Sequence, residues 1–230
     1  MRKHEAWRMA LLAASALPSY GQDTRQEFRP EVDTYINQGE RTRIVFQNQL
    51  QQGVNTGFSR GVFFGGIELA LRPVFRRELR HQPDVFRNRY LTFRAGYQYS
   101  TAVGNGPARE NRGILEAIGR YPLPGGFVLR DRNRADLRFV NGQSFSARYR
   151  NRLWLEHDVR WKRIAFTPYA FDEIFYDTRY DAWTTNRLGA GVQFPAKAHL
   201  VVEPYAMRQE SSRSTPRYTN ALGLKFSLYF

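Results

Sequence analysis

The last ten residues constrain this chain more than any other part of it. Leu222, Leu224, Phe226, Leu228 and Phe230 fall on one face of an extended segment, and Ala221, Gly223, Lys225, Ser227 and Tyr229 fall on the other. Successive side chains of a strand point to opposite faces, so this alternation describes a strand apolar on one side and small or polar on the other. The same rule recurs upstream. Leu91, Phe93, Ala95, Tyr97 and Tyr99 oppose Thr92, Arg94, Gly96 and Gln98. Leu188, Ala190, Val192 and Phe194 oppose Arg187, Gly189, Gly191 and Gln193.

Turn signals separate these segments. Compact ones lie at Asn37-Gln38-Gly39, Pro122 to Gly126, Asn141-Gly142 and Pro195-Ala196-Lys197. Longer polar breaks lie near 51–60, 100–112, 177–184 and 209–217. Short turns alternating with longer loops suit an up-and-down barrel. Strands are expected at 28–36, 42–50, 61–72, 89–99, 113–121, 127–140, 144–157, 163–176, 184–194, 199–208 and 218–230. Single-chain bacterial barrels normally have an even strand count. The expectation is therefore an all-β fold, a single antiparallel up-and-down transmembrane β-barrel of twelve strands, with ten as the alternative. Residues 73–88 hold Arg76, Arg77 and Arg80 and read as a hidden strand, a long loop or a short helix.

Composition decides how such a barrel meets its surroundings. Aromatic residues are 15% of the chain, with 17 Phe and 13 Tyr, as aromatic girdles would require. Tyr97, Tyr99, Tyr121, Trp161, Tyr176, Tyr205 and Phe230 are expected in such belts. The mean hydropathy of −0.59 argues against apolar helices but not against barrel strands, whose lumen face is polar. There is no Cys, which excludes disulfides and a thiol nucleophile. Residues 1–21 read as a secretory signal: Arg2, Lys3 and Arg8, then the apolar run Met9–Leu17, then Pro18, with Ser19 and Gly21 placed for cleavage. The domain expected after it is an outer-membrane barrel over 22–230.

The formal net charge is +14, and only four of the 35 basic residues are Lys. Arg suits fixed bidentate contacts to carboxylate or phosphate. Its placement is most informative between Phe127 and Trp154. Arg130, Arg132, Arg134 and Arg138 share one face of a strand with Asp136. After the Asn141-Gly142 turn, Arg148, Arg150 and Arg152 share one face of the next. A cation facing lipid costs about 2–4 kcal/mol near the midplane, so this face is expected to line the lumen. Arg187 joins it. Glu116, Asp136, Glu156, Glu173 and Glu203 are the expected internal partners, because buried charges persist only when paired.

The final strand, ending in Phe, resembles the signal that outer-membrane proteins present to the barrel assembly machinery, although its third residue from the end is Leu228 rather than the frequent Tyr. Arg148-Tyr149-Arg150-Asn151-Arg152, then Asp172-Glu173-Ile174-Phe175-Tyr176, then Asn186-Arg187 with Gly189 and Gly191, occur in order before it. Together they resemble an uncharacterised family of bacterial outer-membrane proteins, filed as a domain of unknown function. The resemblance covers the mature chain. It implies an outer-membrane barrel and brings no activity, cofactor or catalytic residue.

The functions left open are a narrow anion-preferring pore and a closed barrel filled by ion pairs. The expected partners are outer-membrane lipid and lipopolysaccharide, with the assembly machinery engaged through the strand ending at Phe230. The alternative is an outer-membrane enzyme acting on lipid or peptide at the outer rim. A hydrolase needs a base beside its nucleophile. His81, His157 and His199 accompany no Ser motif, and the adjacent acids Asp172 and Glu173 face opposite ways on a strand. No metal-ligand spacing and no cofactor loop occur, so neither an enzyme nor a cofactor is expected. Nucleic acid is not an expected partner either, because the basic residues alternate with apolar ones instead of clustering on solvated elements.

Overall fold

A computed structural model describes residues 24–54, 56–74, 84–103, 109–162 and 164–230. The proposed signal segment, Arg76, Arg77, Arg80 and His81 lie outside them. Twelve strands follow one another: β1 (Thr24–Asn37), β2 (Thr42–Gly53), β3 (Ser59–Val74), β4 (Arg89–Val103), β5 (Arg109–Pro122), β6 (Phe127–Val140), β7 (Ser146–His157), β8 (Val159–Trp161), β9 (Ile164–Asp177), β10 (Ala182–Lys197), β11 (Leu200–Ser211) and β12 (Tyr218–Tyr229).

All but β8 form a closed wall. Closure leaves the wall without an unpaired edge. β8 is three residues long and pairs only with the start of β9, outside the ring. Eleven strands therefore close the barrel, and this odd number has a geometric consequence. The chain enters at one end and leaves at the other, so β1 and β12 run the same way and pair in parallel from Thr24↔Tyr218 to Tyr35↔Tyr229. Every other pairing is antiparallel. Within 73–88, β3 runs to Val74 and Val85–Asn88 makes a single 3-10 turn.

Alternation sorts the side chains. On β12 and the residue after it, Leu222 and Phe230 are exposed on the outer face, while Ser227 and Tyr229 are buried inside. On β6, Phe127, Leu137 and Phe139 are exposed outside, while Val128, Asp136 and Arg138 are buried inside. The outer face also carries polar groups midway along the wall. Asn151 donates to Asp131 at 2.7 Å and to Asn133 at 3.1 Å, and Asn186 donates to Asp172 at 2.7 Å.

Tyr205 departs from the expected aromatic belt. It has the same parity as Glu203 and Met207 and points into the lumen. The reason is Gly223 on the neighbouring strand: a Cβ there would lie 2.0 Å from the Tyr205 ring. Gly189 does the same for Phe171, whose ring lies 2.5 Å from where a Cβ would stand. Inward aromatic rings thus lie flat across inward glycines on adjacent strands. Tyr97, Tyr121, Trp161 and Phe230 are exposed on the outside.

The charged lumen as candidate functional site

Registered strands bring inward residues into rows around the wall. One row runs Arg43 (β2), Glu68 (β3), Arg94 (β4), Glu116 (β5), Arg134 (β6), Arg150 (β7) and Phe175 (β9). Its signs alternate until β6. Glu68 receives Arg43 at 3.2 Å and Arg94 at 2.8 Å. Glu116 has Arg94, Arg132 and Arg134 at 3.7, 3.9 and 3.8 Å, without a hydrogen bond to either oxygen among the described residues.

The next row towards the Phe230 end runs Ile118, Arg132, Arg152, Glu173, Arg187 and Gln209. Glu173 is wholly buried and serves four cations. Arg132, Arg150 and Arg152 each reach it at 2.7 Å, and Arg187 at 3.2 Å. Arg150 lies 4.5 Å above the Phe175 ring and Arg152 4.4 Å above Phe171. Stacking on aromatic faces fixes the guanidinium planes and leaves their edges to donate.

The remaining arginines of the face are placed as follows. Arg134 donates to Asp136 at 2.5 Å and to Gln98 at 3.1 Å. Arg138 bridges Glu110 at 2.6 Å and Asp177 at 2.7 Å, and Arg148 also reaches Asp177 at 2.7 Å. Arg130 stacks 5.0 Å over Trp154 and makes no ion pair among the described residues. Two of the expected internal acids hold cations outside this face. Glu203 takes Lys225 at 3.3 Å together with Tyr169 and Gln193, both at 2.7 Å. Glu156 takes Arg87 at 2.9 Å.

Arg87 belongs to a strap. Asp84 caps the 3-10 turn by accepting from the Phe86 amide at 3.1 Å. Its carboxylate also binds Arg43 of β2 at 2.7 Å, and Phe86 beneath it is fully buried, 4.3 Å under the same guanidinium. Arg87 reaches Glu156 of β7 and Thr167 of β9. β2 and β7 lie half the circumference apart, so Asp84–Asn88 spans the mouth at the Phe230 end and is anchored on both sides. Burial works to raise the Asp84 carboxyl, but Arg43 and Arg120 together, with the hydrogen bond from Arg43, hold the group below the usual carboxylate range.

The lumen keeps a cavity of about 530 Å³, lined by fifteen Arg, Lys225 and eight acids. Glu110, Asp136, Glu173 and Asp177 sit beneath that lining, covered by the guanidiniums that bind them. The surface offered to a solute is therefore more positive than the wall as a whole. Among the described residues no group of three His, Asp or Glu could hold a metal ion. His157 stacks on Phe127 at 4.5 Å, and His199 bonds the Tyr229 carbonyl at 2.8 Å.

A family model described as "protein of unknown function (DUF2490)" matches residues 43–220. The chain belongs to this family. The match runs from Arg43 on β2 to Asn220 on β12 and takes in the whole arginine face, Glu173 and the strap. No curated protein matches the chain.

Sequence reasoning placed charges on β5–β7, β9, β10 and β11 but missed Arg43, Glu68, Arg94 and Glu110. Their signal is the same inward parity, spread thinly over β2–β4, where each strand carries one or two inward charges, and extended on β5. Arg87 and Asp84 had no periodic signal at all.

Proposed function

We propose that this chain is an outer-membrane barrel whose arginine-lined lumen is a narrow anion-preferring passage, closed in this state by the Asp84–Asn88 strap. The observation that carries the reading is the lining: sixteen basic side chains against eight acids around one cavity, with a strap across one mouth. A closed wall with an apolar outer face and a charged interior fits lipid outside and water inside. Excess fixed cations in a narrow lumen favour anions and repel cations.

Fractionation tests the location. The full chain is expected with the outer membrane, with a gel mobility that shifts on heating. Recovery in the soluble periplasmic fraction would contradict it. Lipid contact has its own readout at Asp172, which is exposed on the outer face. Asp172→Asn keeps the hydrogen bond from Asn186 and removes a charge. In lipid it is expected to stabilise the barrel by about 1 kcal/mol, because acids facing lipid cost less than the 2–4 kcal/mol of Arg or Lys. A urea midpoint in vesicles that does not rise would mean this face is not against lipid.

A further inference from the structure

One row of the lumen, just inside the one whose Glu156 anchors the strap, departs from the rest. Arg120 of β5 and Arg130 of β6 are direct cross-strand partners on the inner face, and Trp154 follows on β7. Partners in this position have Cβ atoms about 5 Å apart, and like charges there repel. Elsewhere on β6 and β7 the inward guanidiniums have a carboxylate. Here neither does, among the described residues. Arg120 is only 3% exposed. Among the described residues both of its hydrogen bonds leave from Nη1, to the Arg89 carbonyl at 3.4 Å and Thr92 Oγ1 at 3.2 Å, with none from Nε or Nη2. Arg130 is held by its stacking on Trp154, and the buried Trp154 indole N–H has no acceptor among the described residues. The acids of the strap and the adjoining row, Asp84 and Glu156, are engaged by Arg43 and Arg87.

A buried cation beside a half-buried one, neither within ion-pair distance of a carboxylate among the described residues, is costly unless something anionic joins them. Both line the cavity, above the strap. We infer that Arg120 and Arg130 form a binding site for a phosphate-type dianion, free or as the head of a phosphomonoester. Two charges match two guanidiniums, and their N–H forks match adjacent oxygens of a tetrahedral oxyanion. This deepens the anion-preferring reading of the lumen and rests on it for the access of the ligand.

The test is calorimetric titration of the full detergent-folded chain with inorganic phosphate, in chloride buffer at neutral pH. Arg120→Gln and Arg130→Gln orphan no carboxylate, so both variants are expected to fold, as heat-shifted gel mobility would report. Each is expected to weaken phosphate binding by about tenfold or more, as loss of a charged hydrogen-bond donor does. Arg25→Gln, at the opposite end of the cavity, is expected to leave it unchanged. Phenyl phosphate titrated in the same way separates the sources: tighter binding assigns an ester, equal or weaker binding the free anion. A folded wild-type chain that takes up no phosphate would overturn the site. So would Gln variants that bind as tightly as wild type. No current is measured, so a barrel that binds phosphate but conducts nothing keeps the site and loses the passage.

Discussion

Glu173→Gln is expected to lower the folding free energy of the barrel by about 3–5 kcal/mol, the cost of removing one partner from a buried charge cluster. Glu173 is the single acid that Arg132, Arg150, Arg152 and Arg187 share. Glutamine preserves the volume and one acceptor but leaves four guanidiniums facing one another on β6, β7 and β10. The measurement is the urea midpoint of the refolded chain, with Glu210→Gln as the comparison. Glu210 pairs with Arg217 on the surface, where both side chains are about half exposed, and such a pair contributes about 0–1 kcal/mol. Equal midpoints for the two variants would mean that the lattice around Glu173 does not hold the wall together.

Releasing the strap is expected to have the largest effect on transport. Asp84→Asn, Arg87→Gln and Glu156→Gln together remove both anchors. The set is chosen so that no buried charge is stranded: Arg43 keeps Glu68, and Glu156 loses its charge with Arg87. Each anchor is a charge-assisted contact of about 1.5–3 kcal/mol. Losing either one multiplies the open population by about tenfold or more. Acid acts on the same element. The Asp84 carboxyl is held below its unfolded value, so its contribution is present above about pH 4 and is lost as pH falls through the lower folded value. Conductance that rises on acidification in wild type, and stays flat in the triple variant, is the expected signature.

Much of the wall was legible because period-two alternation survives wherever one face meets an apolar surrounding. All eleven ring strands were expected at the right place, most of them shorter by a few residues because polar strand tips read as loop, with 127–140 matching β6 and 144–157 and 218–230 slightly overrunning β7 and β12. Parity also indicated the arginine face of β6 and β7. Three features were not legible, for identifiable reasons. An even strand count was expected from precedent, whereas alternation says nothing of how the first and last strands meet. Tyr205 was expected among the outer aromatic residues, yet the glycine that admits it, Gly223, lies on another strand. Asp84–Asn88 makes contacts across the full width of the barrel with no periodicity of its own. Loop lengths misled in the same way. The long breaks at 51–60, 100–112, 177–184 and 209–217 do share one end, but the Asn141-Gly142 turn lies there too, and Asp84–Asn88, between β3 and β4, lies at the other.

The most direct measurement is the zero-current potential of the strap-released triple variant in a planar bilayer under a potassium chloride gradient. The expected result is discrete current steps reversing close to the chloride equilibrium potential, with selectivity reduced when Arg120 and Arg130 are also neutralised. Reversal towards the potassium potential, or a silent bilayer holding folded protein, would contradict an anion-preferring passage and leave the arginine lattice as the filling of a closed barrel.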